Sequence, residues 1–158
     1  MIVTFTLKRN IMPTRLRRIK KAITPENVKM FVRAYGDDSE IAFFNSRCSC
    51  ILANFITEYT GIESESAFSV YGNFVSVLGV NNGWGDMFKL PEWASSLSFL
   101  TASVDLYQVL IESENHPEHI DDYNGPITVA HLRRSLLGNN SSEIKGRDIL
   151  FDIFNASQ

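Results

Sequence analysis

The 158-residue sequence has little of what small domains use in place of a core. Its only cysteines are Cys48 and Cys50. Two apart in a helical pattern, they point to different faces and suit neither a disulfide staple nor a zinc knuckle, so buried thiols in a reducing compartment are expected. No apolar run approaches the roughly 18 residues that a bilayer-crossing helix needs, and no membrane partner is expected. No G-x-S-x-G turn occurs, and neither cysteine has a histidine near it in sequence. Serine and cysteine nucleophiles therefore have no support. Internal repeats and low-complexity segments are also missing.

What is present is enough for one domain, or a domain with an extension. A chain of this size buries roughly 70% of the surface it exposes when unfolded. With 44% hydrophobic and 21% charged residues, it needs no disulfide or metal to fold. The charge is unevenly spread. Residues 1–25 carry Lys8, Arg9, Arg15, Arg17, Arg18, Lys20 and Lys21 with no acid, whereas all 18 acidic residues lie in the remainder. Such a segment reads as a transit peptide, an arm for nucleic acid or a membrane surface, or an intramolecular partner of the acidic body. A solvated or self-docking arm is the expectation, with Met12 as a candidate internal start.

Ile2–Leu7 alternates weakly, in the manner of an edge strand. Thr24-Pro25-Glu26 is a helix start: a Thr N-cap, proline at the first helical position and an acid near the positive end of the dipole. Val28, Phe31, Val32 and Tyr35 then share one face, and Gly36 is the expected stop. Asp37 or Asp38 opens a second stripe, Ile41, Phe44, Cys48, Ile51, Leu52, Phe55 and Tyr59, ending at Gly61. Residues 24–60 thus read as a helical hairpin.

Ser64–Tyr71 is expected as a short helix. Residues 74–90 read as a β-hairpin, because Asn82-Gly83 between apolar runs favours a tight turn with positive φ. Pro91-Glu92 opens a long helix striped by Trp93, Leu97, Leu100, Val104, Tyr107 and Ile111, which must end before Pro117. Ile120–Tyr123 and Ile127–His131 flank Asn124-Gly125, a second hairpin signal. Ser141 or Ser142 is expected to cap a last helix with Ile144, Ile149, Phe151 and Phe154 inside.

The chain's three histidines, His116, His119 and His131, cluster around this second hairpin. Here the sequence resembles the pterin-4a-carbinolamine dehydratases. Phe88-Lys89-Leu90-Pro91-Glu92-Trp93 is similar to the family's F-x-F-x-D-F lead-in to its long helix. Asn115-His116-Pro117-Glu118 resembles its H-H-P-E turn, and Pro117 followed by Tyr123-Asn124 its P-x5-Y-N. Ile127-Thr128-Val129 is similar to its I-T-L strand, and Ile144–Ile149 to the start of its last helix. From Gly61 the expected element order also matches the family plan.

The resemblance implies an α+β fold, an αββαββα antiparallel sheet backed by helices over residues 61–158. A basic arm (1–23) and a helical-hairpin extension (24–60) precede it. It further implies a hydro-lyase that removes water from a 4a-hydroxytetrahydropterin without metal or cofactor. Imidazoles suit the two proton transfers because their pKa lies near working pH. Carried over, the catalytic positions are His116, His131, Asn115 and Asp148, with Glu118 and His119 beside the substrate. Asn115 stands where the family has a histidine; an amide hydrogen-bonds a hydroxyl but exchanges no proton near neutral pH, so weakened activity is implied.

Family members also oligomerise, as dimers or tetramers, and some act as dimerisation or assembly factors. A non-catalytic interaction protein on the same fold is therefore the alternative. An intracellular, cytoplasmic location goes with either reading. A metal site at His116 and His119 lacks zincin geometry and a third ligand. Nucleic-acid contact through Arg133-Arg134 and the arm has no motif behind it.

Overall fold

The computed structural model describes residues 14–44, 50–78, 86–101, 103–112, 125–138 and 141–156. In chain order the elements are α1 (Thr14–Ala22), α2 (Pro25–Arg33), β1 (Glu40–Phe43), α3 (Ile51–Thr60), β2 (Phe68–Tyr71), β3 (Phe74–Val77) and β4 (Asp86–Lys89). These are followed by α4 (Glu92–Leu100), α5 (Val104–Glu112), β5 (Pro126–Thr128), α6 (Val129–Leu136), a 3₁₀ turn (Ser141–Glu143) and α7 (Arg147–Phe154). The class is α+β, as expected, and strand pairing is antiparallel: β2-β3-β4 form one sheet and β1-β5 another.

The centre of the molecule is α3. Ile51, Leu52, Ala53, Phe55 and Ile56 have no or almost no exposure, so this helix is apolar on most of its circumference and must be covered on several sides. The elements that cover it are α1, α4, β1 and β2. Phe55 meets the edge of Phe31 from α2 at 5.5 Å, and burying such a ring contributes about 1.5–3 kcal/mol. At the C-terminal end of α3, Gly61 takes the left-handed conformation (φ 76°) that its sequence position announces.

Several local signals act as read. Thr24 caps α2 by accepting a hydrogen bond from the Asn27 N–H at 3.1 Å, with Pro25 at the first turn. Helix α4 follows Pro91, and β3 pairs with β4. The Asn82-Gly83 turn between them lies outside the described residues, as do the 2–7 segment, Cys48 and the Ile120–Tyr123 strand.

Elsewhere tertiary packing overrides periodicity. Residues 24–60 are not a helical hairpin. Glu40–Phe43 is strand β1, which pairs with β5 of the later part of the chain, and α3 starts only at Ile51 behind the N-cap Cys50. The buried Cys50 Sγ accepts from the Ala53 N–H at 3.4 Å, a capping role. Helix α2 ends at Ala34, before Gly36.

Ser64–Tyr71 is not a helix either. Phe68–Tyr71 is strand β2, turned back onto β3 by Gly72-Asn73, with Gly72 at φ 54° and the Phe99 ring over it. The long helix is broken: α4 ends at Leu100, and Ser103 accepts from the Leu106 N–H at 3.1 Å, starting α5 afresh. By length and composition alone, Glu92–Glu112 is apolar enough to cross a bilayer, but half of it is buried inside the protein. After a strand of only three residues, α6 begins at Val129. Helix α7 begins after Gly146 (φ 72°) rather than at Ser141 or Ser142, and it buries Leu150, Ile153 and Phe154.

Candidate functional site

Of the residues expected to form a pterin site, Asn115, His116, Glu118 and His119 lie outside the described residues. His131 is on the first turn of α6 rather than at the end of a strand. Thr128 ends β5 and caps α6: its Oγ1 accepts from the His131 N–H at 3.2 Å. The His131 Nδ1 accepts in return from the Thr128 N–H at 3.0 Å. This reciprocal pair is a capping box, with histidine in the place usually held by Glu or Gln. Partial burial lowers the His131 pKa below its ordinary 6.5; the Arg134 charge adds to that, and Asp38 opposes it. The ring is therefore neutral, with Nδ1 committed to the cap. The carboxylate that acts on it is Asp38. Asp148 is exposed in the first turn of α7, where an acid favours the positive end of the helix dipole.

The basic residues raised by the sequence hold the protein's own elements. Arg133 grips Asp37 with both terminal nitrogens at 3.0 Å and donates from Nε to the Phe154 carbonyl at 2.8 Å. Arg134 pairs with Glu112 at 2.9 Å. The part of the arm that is described is docked: α1 buries Ile19 and Ala22, and Arg18 donates to the Thr60 carbonyl at the C-terminal end of α3. Arg15, Arg17, Lys20 and Lys21 stay exposed. Amphipathic spacing in the Leu16–Ile23 stretch was the available signal for this docking.

A cleft of about 490 Å³ opens between β1, α3 and the loop that follows α3. One wall is β1, from Glu40 to Phe43, and the floor is the face of α3 bearing Asn54, Thr57 and Glu58. The opposite wall is Glu63-Ser64-Glu65, held as a tight turn by the Glu65 N–H to Phe68 carbonyl bond at 3.0 Å. Glu65 sits at φ 71°, a left-handed conformation that is unfavourable for a residue with a Cβ. Tyr35 closes one end, and its hydroxyl donates to Glu58 Oε2 at 2.9 Å. Partial burial raises the Tyr35 pKa, and the Glu58 carboxylate raises it further.

Among the described residues the lining contains four glutamates, Glu40, Glu58, Glu63 and Glu65, and no Lys, Arg or His. All four are exposed, and among the described residues no group of His, Cys, Asp or Glu is gathered tightly enough to hold a metal. Neither His131 nor Asp148 lines the cleft. Sequence reading missed this site because its acids lie on separate elements and meet only after β1 crosses over α3. The one local hint was the pair Glu63 and Glu65 directly after the Gly61 stop. Comparison of the chain with models of protein families, with curated proteins and with solved structures found no match.

Proposed function

We propose that the protein is a non-catalytic interaction module, a binding or assembly factor, and that the cleft between β1, α3 and the loop after α3 is the working surface. One observation carries this reading: among the described residues four carboxylates line the cleft, with no cation, imidazole or thiol beside them. A site of one charge sign selects an oppositely charged partner and speeds its encounter. The Tyr35 hydroxyl at the end of the cleft titrates above its ordinary range. An intracellular setting and self-association belong to the same proposal.

The hydro-lyase reading has one structural observation in its favour. His131 is half-buried and neutral, the form a general base needs, although the cap already uses its Nδ1. The two readings separate in one experiment. A spectrophotometric dehydration assay with a 4a-hydroxytetrahydropterin is run on the wild type and on His116→Ala, beside a titration with a polyarginine peptide. The interaction module predicts background turnover in both proteins and salt-sensitive binding of the polycation. Turnover that disappears in His116→Ala, with no polycation bound, would overturn it.

A further inference from the structure

We infer, on the basis of the interaction-module reading, that the cleft takes an extended partner segment carrying Lys or Arg, and that this segment pairs as an added strand with the edge of β1 that faces the cleft. The argument starts from the ladder. The Phe44 N–H donates to the Gly125 carbonyl at 3.0 Å, and Phe43 lies opposite Pro126, Ala42 opposite Ile127. In an antiparallel pair the main-chain groups of successive residues point alternately toward and away from the partner strand. Those of Phe44 and Ala42 therefore face β5 and those of Phe43 face away from it, while at Ile41 the register shifts by one residue.

Asn54 supports this orientation independently. Its Nδ2 donates to the Ile41 carbonyl at 2.9 Å, so a side-chain amide occupies the position that a neighbouring strand's N–H would take. Phe43, whose residue is 42% exposed, has no such substitute among the described residues. On this edge of β1 no further strand is paired among the described residues. An unpaired edge of this kind is a template for strand addition.

The other edges are less suitable. The edge of β2 is covered at Phe68 by a bridge from Ser64. On β4, whose outer edge pairs with no strand among the described residues, Asp86 and Lys89 place charges of both signs, a common guard against pairing. Strand β1 runs along a cleft, and this cleft has the volume of a ligand site, ~300–1,000 Å³. Its walls define the charge of the occupant: Glu40 rises from β1 itself, Glu58 from the floor, and Glu63 and Glu65 from the far side. The far wall also carries a buried hydroxyl, Ser64 Oγ, with no hydrogen-bond partner among the described residues. Cationic residues at alternate positions of the added strand would meet these acids, while its main chain meets Phe43.

The test uses a labelled peptide of alternating arginine and valine, the same peptide with N-methylated valines, its glutamate counterpart, and spermine. Binding to the full-length protein is followed by fluorescence anisotropy and by the Phe43 amide signal in NMR. The arginine peptide should bind, bind more weakly as salt rises, and protect the Phe43 amide from exchange. N-methylation should weaken it about tenfold by removing main-chain hydrogen bonds. Phe43→Pro should do the same, because it removes only an N–H that faces the cleft and proline is tolerated on such an edge. Circular dichroism checks that this variant stays folded.

Glu58→Gln combined with Glu63→Gln should flatten the salt dependence. If N-methylated and unmodified peptides bind equally, or spermine displaces the peptide at matched charge, the strand pairing is refuted and the acidic binding surface survives. If the glutamate peptide binds as well as the arginine peptide, or neither binds, the interaction-module reading falls too.

Discussion

Replacing His131 tests whether its ring is chiefly a helix cap. In His131→Ala the Thr128 N–H loses its Nδ1 acceptor, now at 3.0 Å, in a half-buried setting. That loss costs about 1 kcal/mol, partly offset by alanine's better helix propensity, which contributes up to about 0.7 kcal/mol. The return bond from the His131 N–H to Thr128 Oγ1 survives, because it uses only the main chain of residue 131. For a chain of this length each kcal/mol shifts Tm by about 2–4 °C. The alanine variant should therefore melt roughly 1–4 °C lower. His131→Gln restores an acceptor of the usual capping-box type and should melt within about 1 °C of wild type.

The pH dependence separates the variants further. Burial lowers the folded-state pKa of His131 below 6.5, so between that lowered value and 6.5 the unfolded chain binds the extra proton. The stability linked to His131 is complete above pH 6.5 and is lost as pH falls through the folded-state value. Acidification should thus lower the wild-type Tm more than that of His131→Gln. Differential scanning fluorimetry from pH 7.5 to 5 reads both effects. Equal losses in the Ala and Gln variants, or unchanged acid sensitivity in His131→Gln, would refute the capping role.

Other expectations follow from the same contacts. Gly61→Ala and Gly146→Ala both force alanine into a left-handed conformation, at about 1–2 kcal/mol. At Gly61 a Cβ meets nothing within 4 Å, whereas at Gly146 it would lie 2.7 Å from the Trp93 Cβ, so only the second should add about 1–3 kcal/mol of overpacking in urea melts. Phe55→Ala, in the middle of α3, should cost about 3–5 kcal/mol by chemical denaturation. The Arg133 hydrogen bonds hold the Asp37 pKa below 3.8, so their stabilisation is present above that pH and lost as pH falls through the lowered value. Arg133→Leu should remove this acid step and speed amide exchange at the end of α7, since the Phe154 carbonyl also loses its donor.

Two helix boundaries were legible because they depend on neighbours in sequence. Thr24 followed by Pro25, and Gly61 at a helix end, act through main-chain geometry within one turn. Apolar stripes were less reliable. Ile41 and Phe44 fit the helical period of the α3 stripe, yet they belong to the β1 region because Ala42 and Phe43 pair with residues more than eighty positions away. Ala67, Val70, Tyr71 and Phe74 also fit a helix, but Gly72-Asn73 turns the chain and places Tyr71 and Phe74 in a stack at 5.0 Å. Gly-Asn between apolar runs was a readable hairpin signal.

The candidate site divides the same way. Composition and local chemistry determined that the chain has an acidic body, a basic first segment and antiparallel strands among helices. Only the tertiary structure decided that β1 leaves its helical surroundings to pair with β5, that His131 turns back to cap its own helix, and that Glu40, Glu58, Glu63 and Glu65 share one cleft. Local preferences act over a few residues and can be read from order alone. Strand pairing and charge convergence depend on distances that exist only once α3 has been buried from several sides.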